Sequence, residues 1–278
     1  MSAKPFTFRL ARFAACAGIA VLAQFGAVSA SQATSQAADL GLVKAGTLTY
    51  CSSMDAPPLA EYNENQQPQG FSVDVARDVA KQLGNLKVEW KVMSFSGQIP
   101  ALEARQCDLV IGQLYDKPER RQIIDLIDYM YSSESIMVPR GNPHHVHTLD
   151  DLSGLKVAVL NGTTMSTLLD QENQKLKAAG KKPMNVVVYS SDADAFQGFR
   201  AQQVDAYGTT AESAAHFQEA SGNMFEQAVP AFDRIATGIG ARKGEPLSPA
   251  VAQAVANLVK SDRYSKMLAK WNIEGDRY

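Results

Sequence analysis

Cysteine is scarce in this 278-residue chain, which carries three, and no apolar run beyond Val28 is long enough to suggest a membrane-spanning helix. Internal repeats, low-complexity blocks and heptad arrays are absent, which removes solenoids and coiled coils from consideration. There is no surplus of positive charge either: 27 Lys and Arg stand against 29 Asp and Glu. A general binder of phosphate backbones needs such a surplus, so nucleic acid is not an expected partner. Missing as well are a nucleophile elbow, a phosphate loop and a zinc-binding helix motif, and with them the hydrolytic and phosphoryl-transfer chemistries those motifs carry.

What is present begins with an export signal. Lys4, Arg9 and Arg12 precede an uncharged apolar run from Phe13 to Val28, followed by small residues that invite cleavage after Ala30 or Ala33. Cys16 stands too close to Arg12, inside the apolar run, to be a lipoprotein cleavage site. Removal of residues 1–33 leaves 245 residues with 24 basic and 29 acidic side chains, a net charge of −5. The mature chain is expected to be periplasmic. Two cysteines survive, Cys51 and Cys107. An oxidising compartment permits them to pair, but their expected places in two parallel strands point the ends apart, so buried free thiols are the expectation.

Short apolar runs alternate with helical patterns along the mature chain, the mark of βαβ units and mainly parallel sheets. Strands are expected at Thr47 to Ser53, Lys87 to Val92 and Asp108 to Gly112, with helices at Phe71 to Leu83 and Gln98 to Ala104. Ser135 to Pro139 reads as the extended exit from this unit. The polar stretch Arg140 to Thr148 reads as a crossover. A second unit follows, with strands at Lys156 to Leu160, Val186 to Tyr189 and Ala206 to Gly208 and helices at Thr164 to Ala178 and Ala193 to Gln202. Thr237 to Ala241 is the expected return crossover, and Pro249 to Trp271 a final helix.

This order of motifs resembles the solute-binding family, family 3, that serves polar amino-acid ABC importers. The resemblance rests on Pro57-Pro58, Gly70-Phe-Ser-Val-Asp-Val-Ala76, Ile99-Pro-Ala-Leu102, Cys107-Asp-Leu-Val-Ile111, Pro118-Glu-Arg120, Asp151-Leu-Ser-Gly-Leu-Lys-Val157, Asn161-Gly-Thr-Thr164, Val204-Asp-Ala206 and Lys270-Trp271. It implies a type II periplasmic-binding-protein fold: two α/β lobes, mainly parallel sheets flanked by helices, joined by two crossover strands, with ligand held in the cleft between them. On that plan residues 40–139 plus 240–278 form lobe 1 and residues 140–239 form lobe 2. The implied protein is a monomer that passes a small carboxylate-bearing solute to a membrane permease, with no cofactor and no metal. The clustered His144, His145 and His147 stand without cysteine partners in the expected crossover.

Within that frame the candidate ligand residues can be named. Arg120 stands where the family carries its carboxylate-binding arginine; a planar, permanently charged guanidinium matches a carboxylate in bidentate fashion. Arg121 competes for the role. Gly162, Thr163 and Thr164 mark a strand-to-helix turn whose free N–H groups and dipole favour an anion. Gln113 and Tyr115 occupy the stretch that presents small hydroxyls and carbonyls to an ammonium group in the family. Asp55 and Ala56 lie in the loop that often brings an aromatic over the ligand, and Phe95 is the candidate apolar wall. Thr209 and Thr210 depart from the family pattern, which usually has an aspartate there for the ammonium. Either another acid such as Asp55 or Glu212 replaces it, or the solute is an organic acid, an aromatic acid or an atypical amino acid. The resemblance extends to a dehydratase branch acting on cyclohexadienyl carboxylates, which needs an acid beside the carboxylate clamp. Glu172 and Glu212 are the candidates for that acid, but a receptor, not an enzyme, is the expectation.

Overall fold

The computed structural model describes residues 39–278. The expected signal peptide over residues 1–33 lies outside the described residues. Alternation of short apolar runs gives β1 (Thr47–Ser52), the small strands β2 (Asp55–Ala56), β3 (Ala60–Tyr62) and β4 (Pro68–Gln69), α1 (Phe71–Gln82), β5 (Lys87–Val92), α2 (Gln98–Glu103), β6 (Leu109–Val110) and α3 (Pro118–Arg121). The chain continues through the 16-residue β7 (Ile124–Pro139) into β8 (Lys156–Leu160), α4 (Thr164–Ala178), β9 (Asn185–Tyr189), α5 (Asp192–Arg200), β10 (Ala206–Thr210) and α6 (Ala211–Ala220). It returns through the 18-residue β11 (Phe225–Arg242) to α7 (Leu247–Val259) and α8 (Asp262–Lys270).

Eight strands share one sheet in the order β5-β1-β6-β11-β7-β10-β8-β9. Each end is a parallel triplet, β5-β1-β6 and β10-β8-β9, and the centre is the antiparallel pair β7 and β11. The register of that pair shifts between Gln227 and Val229, Val229 and Phe232, Phe232 and Ile235, and Thr237 and Gly238. The long strands therefore carry the chain from one half to the other and back, with their ladder broken midway. Arg140 to Thr148, expected as the crossover, is instead a turn in which Asn142 donates to the Val146 carbonyl and accepts from its N–H. β7 is longer than its apolar tail suggests because its first half also buries Ile124, Leu126, Tyr129 and Met130, interrupted by the polar Asp125 and Asp128.

The apolar cores divide along the same line. Leu48, Tyr50, Phe71, Tyr129, Ile239, Leu258 and Tyr264 share one cluster. Ile136, Val157, Val159, Met165 and Leu169 share another, and Phe196, Phe199, Tyr207 and Phe217 a third. The final helix is two helices, parted where Ser261 donates to the Leu258 carbonyl and precedes α8.

Cys51 and Cys107 are joined in a disulfide with Cα atoms 5.8 Å apart, against the expectation of free thiols. The expectation placed Cys107 in a strand, but β6 begins at Leu109. Cys107 instead lies in the connection from α2, on the side of the sheet where Cys51, Ala101 and Leu102 pack together. The same connection is anchored by buried Asp108, which accepts from the N–H groups of Val43 and Thr49, and by Arg242, which donates to the Cys107 carbonyl at 2.5 Å.

Gly70 caps α1 with φ of 130°, and a Cβ there would stand 2.1 Å from the Leu59 carbonyl oxygen. That carbonyl is fixed by the Ser72 N–H at 2.9 Å, so it cannot easily move aside. Gly70→Ala is expected to destabilise by about 2–3 kcal/mol, read as a lower denaturant midpoint at unchanged slope.

Candidate functional site

In parallel sheets, side chains that follow the carboxyl ends of the strands converge on a crevice. Both triplets do this here. Phe95 follows β5, Gln113 and Tyr115 follow β6, Thr163 and Thr164 follow β8, Asp192 follows β9, and Thr209 and Thr210 end β10. These residues line one small cavity together with Arg120, Glu134, Leu160, Met165 and Gly208.

Arg120 is half-buried, and one N–H donates to the Tyr115 carbonyl at 2.9 Å. Its guanidinium carbon lies 5.5 Å from the centre of the Phe95 ring. Arg121 is the surface arginine: it donates to both Asp116 oxygens, at 2.6 and 2.5 Å. The neighbouring arginines thus separate cleanly, one facing the cavity without an ion pair to a described carboxylate, the other held outside. Burial draws the Arg120 guanidinium down from its usual range, while Glu119 and Glu134 pull it back.

Thr163 caps α4, accepting from the Ser166 N–H at 3.2 Å and donating to the Leu160 carbonyl at 2.8 Å. Thr164, the first residue of the helix, keeps a buried hydroxyl with no partner among the described residues. A buried hydroxyl left unpaired costs free energy, so this one, at the cavity wall, is available to a solute's polar group. Gln113 reaches across the cleft, its amide donating to the Ser213 hydroxyl at 3.0 Å and the Thr210 hydroxyl at 3.3 Å. Ser213 in turn donates to the Pro57 carbonyl at 2.8 Å. Tyr115 donates to Ser132, because Ser132 itself donates to Glu212.

Two acids in the cavity had no place in the sequence reading. Glu134 is 2% exposed, and burial with the neighbouring charges of Glu212 and Asp233 pushes it up to about 8, against smaller pulls from Lys117 and Arg120. Asp192 is buried, accepts from the Tyr207 hydroxyl at 2.5 Å, and keeps its other oxygen unpaired. Burial, then the charge of Asp55, raises it to about 7, although the hydroxyls of Tyr207 and Thr209 favour the ionised form. Glu134 sits in the part of β7 that carries no apolar run, though strict alternation from Ile124 would have reached toward it. Asp192 reads in sequence as a first-turn residue behind the Ser191 cap, and nothing local marks it as part of a cavity wall.

Asp55 does not enter this cavity. Its carboxylate accepts from the Asp192 N–H at 2.9 Å and lines a neighbouring groove with Met54, Glu61, Tyr62 and Phe196. Glu212 lies behind the cavity, raised to about 7 chiefly by burial and bonded by Ser132. Glu172 is on α4, paired with Lys175 at 2.8 Å.

Comparison with known proteins places this arrangement. The family model for bacterial extracellular solute-binding proteins, family 3, matches residues 48–274. The L-cystine-binding protein TcyJ of Escherichia coli strain K12 is 28% identical over 251 residues, covering 88% of this chain and 91% of that protein. An ancestral arginine-binding protein solved with arginine superposes with a TM-score of 0.75 at 32% identity, covering 81% of this chain and 98% of the other. The ancestral amino acid-binding protein AncCDT-1, a precursor of cyclohexadienyl dehydratase, superposes with a TM-score of 0.73 at 29% identity, covering 81% and 95%.

Proposed function

Because the chain belongs to the bacterial extracellular solute-binding proteins of family 3, we propose that its cavity closes on an α-amino acid and that the protein delivers this solute to the permease of an ABC importer. The observation that carries the reading is the set of unsatisfied groups in one cavity. Arg120 and the N-terminus of α4, with the free Thr164 hydroxyl, suit a carboxylate. Glu134 and Asp192 suit an ammonium group and take over the role that Thr209 and Thr210 cannot fill. The solute therefore need not lack an amino group, as the threonines alone suggested.

The two lobes turn about the irregular middle of β7 and β11, inside the bounds 139/140 and 239/240 expected from sequence, since Ile136 and Val138 pack in the second core and Tyr129 and Ile239 in the first. Ligand touching both lobes stabilises the closed form by differential affinity. The mature protein works in the periplasm as a monomer, after loss of residues 1–33. Thermal stabilisation by a panel of amino acids, set against the same acids without the α-amino group, tests the assignment, since a ligand that favours the folded state raises Tm with concentration. Stabilisation by the des-amino acids alone would overturn it.

One feature favours the dehydratase alternative enough to merit a direct assay: a protonated Glu134 shares the cavity with Arg120. The receptor reading expects no aromatised product when the protein is incubated with a cyclohexadienyl carboxylate.

A pH dependence follows from the two acids. In the empty cavity Glu134 and Asp192 hold their protons up to about 8 and about 7. An ammonium ligand needs them ionised, so its binding releases protons and weakens as pH falls from about 8 to about 6, by up to about tenfold per unit for each proton released. Calorimetry in buffers of different ionisation enthalpy reads the proton count directly. Folding of the empty protein has the opposite sign. Both carboxyls are raised above their unfolded values, so their contribution is fully present below about 4 and is lost as pH rises through about 7 to 8.

A further inference from the structure

Three charged side chains line the ligand cavity: one cation, Arg120, and two acids, Glu134 and Asp192. None of the three forms an ion pair with another described residue. Arg120 spends one N–H on the Tyr115 carbonyl. Asp192 has one oxygen bonded by Tyr207 and one left over. Glu134, almost wholly enclosed, has a carboxylate that meets space only in the cavity and accepts no hydrogen bond from a described residue. A buried carboxyl with no cation beside it keeps its proton, and it ionises to form an ion pair when a ligand sets a cationic group against it.

A zwitterion of no net charge pairs with Arg120 and with one acid and leaves the second carboxyl protonated, so only a solute with a further cationic group gains an ion pair there. We propose that the site selects α-amino acids carrying an additional positive charge on the side chain, with one carboxylate for Arg120 and α4 and two cationic groups for Glu134 and Asp192. This rests on the amino-acid reading above and narrows it. Of the neighbouring cations, Arg121 is held by Asp116, and Lys117 acts on Glu134 from outside the cavity lining without forming an ion pair with it. A solute with a second carboxylate is disfavoured, since Arg120 is the one cation among the described residues lining the cavity.

The test is a charge series on one scaffold, using protein freed of carried-over ligand by unfolding and refolding. Calorimetric Kd values are compared for arginine and lysine, for their neutral counterparts citrulline and norleucine, and for glutamate. The cationic members are expected to bind at least about 30-fold tighter than their neutral counterparts. In Glu134→Gln that ratio is expected to collapse to within about threefold, because the isosteric amide removes the charge and keeps the shape. Neutral amino acids binding as tightly as cationic ones would overturn the charge selection while leaving the amino-acid reading intact. Failure of every α-amino acid, with binding of acids that lack the amino group, would overturn both. The wild-type series decides the matter even if the variant does not fold.

Discussion

Arg120→Ala is expected to lower solute affinity by about 100-fold or more and to erase the ligand-induced rise in Tm, while Arg121→Ala changes affinity by less than about threefold. The two residues are adjacent and chemically identical, so the contrast isolates geometry. Arg121 is spent on Asp116 and lies on the outside, where an exposed pair contributes at most about 1 kcal/mol. Arg120 is half-buried over Phe95, has no carboxylate partner among the described residues, and shares its cavity with the N-terminus of α4. Removing it takes away the one guanidinium there that can meet a carboxylate with two parallel hydrogen bonds. Arg120→Lys is expected to recover only part of the loss, since an ammonium reproduces the charge but not the fork. Equal losses in the two alanine variants, or a larger one at Arg121, would mean that the solute carboxylate is not where the cavity puts it.

Strand-and-helix order was legible because each element of the two parallel triplets carries its own signal. The run Lys156 to Leu160 is apolar at four of five positions, and α1 repeats Val75 and Val79 at helical spacing. Their positions at the carboxyl ends of strands follow from topology, so the convergence of Phe95, Gln113, Tyr115, Arg120, Thr163, Thr164 and Thr210 on one cavity was within reach of the sequence. The central pair was not. Only the ends of β7 and β11, Ser135 to Pro139 and Thr237 to Ala241, carry runs that read as extended; their middles mix polar and apolar side chains without a steady period, and the register shifts there. Glu134 was hidden for that reason. Asp192 was hidden for another: an aspartate behind a serine at a helix start has an ordinary explanation in capping. Its burial comes from the packing of α5 against β10, which brings the Tyr207 hydroxyl onto its carboxylate, and no local sequence signal records that contact. Asp55 illustrates the converse: its loop was expected at the ligand, yet its carboxylate accepts from the Asp192 N–H and lines a separate groove.

Removal of the disulfide is the largest stability change expected. Cys51 and Cys107 are fully buried and 56 residues apart in sequence. Cross-linking a loop of that length removes conformational freedom from the unfolded chain worth about 4 kcal/mol in the loop-entropy model. The loop holds α1, β5, Phe95 and α2, so the bond also fixes the segment that supports the cavity wall under Arg120. The double variant Cys51→Ala/Cys107→Ala avoids a stray thiol and adds only a small loss of packed volume. For a chain of this size each 1 kcal/mol shifts Tm by about 2–4 °C, so a fall of about 8–16 °C is expected by calorimetry. Reductant alone should act slowly on the folded protein, because neither sulfur is reached by solvent without opening of the structure, and quickly once denaturant is added. Solute affinity at 25 °C should change much less than Tm, since α2 and the Phe95 turn remain packed against β1 and β6 by Ala101, Leu102 and Leu114. A double variant as stable as wild type to within about 1 kcal/mol would mean that the unfolded chain is already restrained between these positions, and that the bond constrains little that the fold does not.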